Sequence, residues 1–178
     1  MADPVKKPLS KAVERMIRVD QAGEYGAVRI YAGQMAVMGD RGPHGGRIAH
    51  MLEQEVVHRQ WFDQFLVERG ARPTLLQPFW HVAGFALGAA TALIGPEAAM
   101  ACTAAVETEI DLHYTKQLEE LGQDEPEIAE KIAKARDEER EHRDIAFEQG
   151  AEKAPAYPLL SGAIRLGCKV AIALSERI

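Results

Sequence analysis

Cysteine is scarce: the 178 residues contain only Cys102 and Cys168, 66 positions apart and both inside apolar stretches. That spacing offers neither a CxxC metal knuckle nor a disulfide framework, so both thiols are expected as small core residues. Basic charge is short as well. The 21 Lys+Arg stand against 27 Asp+Glu, giving a formal net charge of −6, and they are scattered without a stripe that could neutralise a phosphate backbone. Nucleic acid is therefore not an expected partner. No Gly-x-Gly-x-x-Gly follows a strand, and the glycines between 39 and 46 read as an interhelical loop, so a dinucleotide has no Rossmann-type cradle. Residues 1–9 lack an apolar h-region and an Arg/Ser-rich transit character, which predicts a flexible, non-secretory N-terminus.

Strand alternation is also nearly absent, while apolar residues recur at three and four throughout. The pattern predicts an all-α chain folded as one domain over 1–178, with helices near 10–38, 47–69, 78–94, 96–121, 125–149 and 155–176. Glycine and proline mark the breaks, with Gly95-Pro96 placing Pro at a first helical position. Four of these helices are amphipathic, which is the inventory of a four-helix bundle. The other two differ: 78–94 is apolar on all sides but shorter than the roughly 20 residues a bilayer span needs, and it is accompanied by an apolar C-terminal helix at 159–174. They are expected to be buried or to lie in a membrane interface.

Four glutamates and two histidines occupy the wrong face of their helices. At 100° per residue, Glu24 falls in the stripe of Met16, Ala27, Tyr31 and Met35, and Glu107 falls among Met100, Ala104, Ile110 and Tyr114. Glu55 and His58 share a face with Ile48, Met51 and Phe62; Glu139 and His142 share one with Ile132, Ala135 and Ala146. Each of these pairs is a Glu-x-x-His. The copies are in register, since Glu24 and Glu107 are 83 residues apart while Glu55–Glu139 and His58–His142 are each 84 apart. The chain thus reads as two related helix pairs, each giving one lone Glu and one Glu-x-x-His, the ligand set of di-iron and di-manganese carboxylate bundles.

Charge favours metal over a proton-only site. Four buried carboxylates repel one another, and most would need a proton to survive desolvation. Two divalent ions balance four Glu⁻, and neutral imidazoles complete the set. Asp20, Asp111, Arg136 and Arg143 are candidates for orienting the ligands by hydrogen bonds. Glu53, Glu109, Glu138 and Glu141 read as solvated surface groups, and Tyr25 as packing.

At this point the chain resembles a known family, the membrane-associated ferritin-like 5-demethoxyubiquinone hydroxylases of ubiquinone biosynthesis. The resemblance runs through residues 15–38 (RMIRVDQAGEYGAVRIYAGQMAVM), 79–102 (FWHVAGFALGAATALIGPEAAMAC), 136–145 (RDEEREHRDI) and 167–177 (GCKVAIALSER). It implies a ferritin-like bundle holding two irons on Glu24, Glu55, His58, Glu107, Glu139 and His142, the six residues that spacing selects independently. It further implies insertion of one oxygen atom of O₂ into the ring of a polyprenylated demethoxy-benzoquinone, with NADH as reductant and His113 and Tyr114 assisting electron or proton passage. A membrane surface met by the third and sixth helices is implied too. So are a lipid-binding partner protein or biosynthetic complex, a homo-oligomer, and a place at the cytoplasmic face of a bacterial inner membrane or the matrix face of the mitochondrial one. Two rivals remain at this stage: a soluble ferritin-like oxidase or peroxidase with the same ligands, and a catalytically idle lipid- or partner-binding module.

Overall fold

The computed structural model describes residues 9–39 and 43–178. Apart from Leu9, which packs against the core, the expected flexible N-terminus lies outside the described residues. Six α-helices follow in order: α1 (Lys11–Met38), α2 (Pro43–Arg69), α3 (Gln77–Ile94), α4 (Pro96–Leu121), α5 (Pro126–Glu148) and α6 (Tyr157–Ser175), with a 3₁₀ turn at Ala151–Lys153. There is no strand among the described residues, and the architecture is the expected all-α, ferritin-like bundle with two added apolar helices.

Local chemistry sets the ends. Ser10 caps α1 by accepting from the Val13 N–H at 3.2 Å. Gly39 leaves that helix at φ 71°, a value that costs any other residue strain. The second helix begins one turn earlier than the glycine cluster suggests, because Pro43 sits at its first position with φ already helical, and His44, Gly45 and Gly46 continue from it. Before Pro126, where the α region is disfavoured, Glu125 adopts φ 51° and ψ 58°.

Helix α1 pairs with α2, and α4 with α5, while α3 lies along α1 and α6 along α4. Each half is therefore a helix pair plus one apolar helix. The α1–α3 contact is backbone on backbone. A Cβ added to Gly88 would run into the Ile30 carbonyl, one on Gly33 into the Phe85 carbonyl, and one on Gly84 would stand 3.0 Å from the Gly26 carbonyl. Small residues in α3 thus serve close approach. Its other side leaves Phe79, Val82, Leu93 and Ile94 exposed.

Two apolar clusters plug the bundle. One gathers Ile17, Phe62, Tyr114, Ile128 and Ile132; the other gathers Tyr31, Ile48, Met51, Met100 and Ala146. On all four bundle helices the candidate ligands fall in sequence between members of these two clusters, so they form a layer sealed at both ends.

Candidate metal centre

All six candidate ligands converge in that layer. Glu24, Glu55, His58, Glu139 and His142 have no solvent exposure, and Glu107 has 1%. Their donor atoms form two groups, Glu24–Glu55–His58–Glu139 and Glu55–Glu107–Glu139–His142, with all atoms of a group within 4.8 Å of one another. Glu55 and Glu139 belong to both. The two groups therefore adjoin, sharing Glu55 and Glu139 and each adding one Glu and one His of its own.

Both imidazoles turn Nδ1 inward. His142 Nδ1 lies 3.1 Å from Glu55 Oε1 and 3.0 Å from Glu139 Oε2. His58 Nδ1 lies 3.0 Å from Glu139 Oε1 and 3.5 Å from Glu24 Oε2, yet it has no hydrogen-bond partner of acceptable angle. Glu24 Oε2, both Glu55 oxygens, Glu107 Oε2 and Glu139 Oε1 are likewise buried without a hydrogen bond. Buried polar atoms normally find partners, and six unmet donor atoms of oxygen and imidazole type, aimed at common centres, fit divalent cations.

Electrostatics in the metal-free layer point the same way. Burial pushes the Glu55 carboxyl well up, and the charges of Glu139 and Glu24 push it further. Glu107 is raised by burial and by Glu139. Burial would pull both imidazoles down, but the surrounding carboxylates outweigh it and lift His58 to about 12 and His142 to about 11. Glu139 feels burial as well, and contacts with His142 and His58 still hold it down to about 2. Glu55, Glu107 and both imidazoles are thus pushed toward their protonated forms, whereas Glu139 is not.

A family profile described as "Ubiquinone biosynthesis protein COQ7" matches residues 11–175. The chain belongs to this family. The COQ7-family chain is 58% identical over 166 residues to the 3-demethoxyubiquinol 3-hydroxylase of Rhodospirillum rubrum, covering 93% of this chain and 78% of that protein. It is 54% identical over 171 residues to the mitochondrial NADPH-dependent 3-demethoxyubiquinone 3-hydroxylase of Homo sapiens, covering 94% and 78%. Against the mitochondrial 5-demethoxyubiquinone hydroxylase of Saccharomyces cerevisiae it is 42% identical over 182 residues, covering 93% and 78%.

Around the COQ7-family ligand layer, tyrosines hold the private glutamates. Tyr31 donates to Glu107 Oε1 at 2.7 Å, and Tyr114 donates to Glu24 Oε1. Each tyrosine stands seven residues after a private Glu on its own helix and reaches across to the Glu of the other, which requires α1 and α4 to run antiparallel. Burial and the carboxylate partners raise both phenols well above the ordinary tyrosine value, so they remain donors. Tyr114 therefore touches the candidate ligand Glu24. His113 sits further out, 3.4 Å from Asp20 Oδ1 and 2.9 Å from Gln117 Nε2, while Gln117 donates to Asp20 at 2.7 Å.

Sequence reading missed Tyr31, Gln54 and Glu138 as ligand partners. His58 Nε2 meets Glu138 Oε2 at 2.6 Å, and His142 Nε2 meets Gln54 Oε1 at 3.1 Å. The register that selected the ligands could have found them, because Tyr31–Tyr114 repeat at 83 and Gln54–Glu138 at 84. Two expected surface glutamates are thus corrected. Glu138 backs the candidate ligand His58, and Glu109 is 4% exposed, held by Arg165 at 2.5 Å and Lys169 at 3.8 Å from α6. The other two, Glu53 and Glu141, are exposed. Of the orienting candidates, Asp111 accepts from Arg140 and Arg143 at 2.8 Å, tying α4 to α5, and Arg136 turns to Asp137. Tyr25 joins α1 to α3 through His81 Nδ1 at 2.6 Å.

Beside the layer, α1, α3, α4 and α6 enclose an apolar cavity of about 490 Å³. Its wall includes Gly23 and Ala27, next to Glu24 along α1, Val106, next to Glu107 on α4, and Cys168 of α6. Cys102 is fully buried and Cys168 half-buried; both are free thiols. Helix α6 is long and apolar enough by composition to cross a membrane, and it leaves Leu159, Leu166, Val170 and Leu174 exposed.

Proposed function

We propose that this protein is an O₂-dependent dinuclear-iron monooxygenase that hydroxylates the ring of a polyprenylated demethoxy-benzoquinone in ubiquinone biosynthesis. The observation that carries the reading is a buried layer of six ligand-type side chains, five of which hold atoms without a hydrogen-bond partner, beside an apolar cavity. Two irons, when bound at Glu24, Glu55, His58, Glu107, Glu139 and His142, supply the electron-transfer chemistry that activates O₂. The overall change replaces a ring C–H by C–OH, with one oxygen atom entering the product and the other leaving as water. Two electrons come from a reduced nicotinamide. The human relative's name carries NADPH, whereas the family resemblance alone suggests NADH.

The chain's own contribution is positional. Tyr31 and Tyr114 fix Glu107 and Glu24 by hydrogen bonds, and Glu138 and Gln54 hold the imidazoles with Nδ1 inward. The two apolar clusters exclude water from the layer. His113, in contact with Asp20 and Gln117, is placed to pass protons or electrons beside Tyr114. An apolar wall suits a water-insoluble prenyl tail, and the exposed faces of α3 and α6 suit a membrane surface from which such a tail could enter. The corresponding location is the inner membrane, on the bacterial cytoplasmic or mitochondrial matrix side, with a lipid-binding partner or a second copy sharing that apolar face. A soluble oxidase would not use the cavity, and an idle binding module would not use six converging ligands.

The test supplies iron-loaded protein with a demethoxyquinone, ¹⁸O₂ and either NADH or NADPH, and follows the product by mass spectrometry. One ¹⁸O per product is expected, with no product from Glu139→Ala or His142→Ala while most helicity remains. Oxidation of the nicotinamide that ignores the quinone, or product without label, rejects the proposal.

A further inference from the structure

The two halves of the ligand layer match at nearly every position. Glu24 matches Glu107, Glu55 matches Glu139, His58 matches His142, and Tyr31 matches Tyr114, all at offsets of 83 or 84. One matched pair behind the ligands breaks the symmetry. Residues 54 and 138 also stand 84 apart, and each meets the outer nitrogen of the other half's histidine, but one is Gln and the other Glu. The geometry points to two inequivalent metal positions, the one formed by Glu24, Glu55, His58 and Glu139 binding its ion more tightly because Glu138 backs His58, while neutral Gln54 backs His142.

The physical reason lies in the outer nitrogen. Carboxylate and amide oxygens only accept, so both Nε2 atoms carry the proton and both Nδ1 atoms keep a lone pair for a metal. A bond to a carboxylate is charge-assisted, and its length of 2.6 Å against 3.1 Å for the amide agrees with that. The carboxylate draws the Nε2 proton outward and leaves more electron density on Nδ1, which strengthens the ligand. Lys134, 3.7 Å from Glu138 Oε1, orients the carboxylate without reaching His58's side of it. The tighter position therefore fills first, and the second ion enters a layer that already holds one.

This inference rests on the dinuclear reading, and one experiment separates the two. The full chain is loaded with Co²⁺ and dialysed against graded chelator, with retained cobalt measured by elemental analysis and helicity by circular dichroism. Wild type is expected to hold two ions and lose them in two steps. Glu138→Gln should weaken the tighter step by about 10–100-fold, bringing it toward the weaker one; Gln54→Glu should tighten the weaker step, an effect that mere structural damage would not produce. Two ions lost in one step from wild type, or unchanged steps in Glu138→Gln, would overturn the inference and leave the dinuclear site standing. Fewer than two ions in wild type would overturn both.

Discussion

Tyr31 on α1 donates a 2.7 Å hydrogen bond to Glu107 on α4, a contact between residues 76 positions apart with both partners buried. The bond keeps one oxygen of Glu107 occupied and leaves Oε2 free. Replacing Tyr31 by Phe removes the donor without changing the ring, so Glu107 loses its orientation. Metal affinity or turnover is expected to fall by about 10–100-fold, with an equal effect for Tyr114→Phe at Glu24. Steady-state hydroxylation and metal content measure it; wild-type values in Tyr31→Phe would make the bond incidental.

Loading the site should release protons. In the metal-free chain His58 is raised to about 12 and His142 to about 11, so both imidazoles are protonated at neutral pH, while burial and neighbouring carboxylates push Glu55 and Glu107 up as well. Glu139, lowered to about 2, is already ionised. A metal needs the deprotonated forms, so affinity is expected to rise from pH 6 to pH 8, and addition of metal to weakly buffered protein should acidify the solution. An indicator dye reads the change. Affinity flat across that range would contradict the protonation pattern.

Gly88→Ala places a methyl group against the Ile30 carbonyl, where backbone rather than a movable side chain must yield. The α1–α3 contact should lose roughly 1–3 kcal/mol, lowering Tm by about 2–10 °C for a chain of this size. Gly162→Ala in α6 supplies the control. Its Cβ meets nothing within 4 Å, so the substitution should stabilise by roughly 0.5–1 kcal/mol through helix propensity. Thermal unfolding of the two variants should move in opposite directions.

Leu159 and Leu166 are 75% and 64% exposed on α6. Changing both to Glu is expected to abolish co-sedimentation with phosphatidylcholine vesicles while sparing metal content and helicity. Unaltered vesicle binding would move the membrane surface elsewhere on the molecule.

The sequence by itself determined the six helices, the duplication and the candidate ligand set, because a 3.6-residue period assigns each Glu and His a face, and a charged group on an apolar face demands a partner. It also revealed that the third helix is apolar all round. Only the tertiary structure decided what stands behind the ligands. Glu138 and Glu109 look like surface charges on their own helices, and become a histidine's partner and an inter-helix tie only when α2 faces α5 and α6 lies on α4. Periodicity describes one helix at a time, whereas a hydrogen bond across 80 residues depends on how two helices are rotated against each other, a quantity that packing sets. The same holds for the apolar cavity, which no single helix contains, and for α3, whose small residues spend one side on the α1 backbone and leave the other bare.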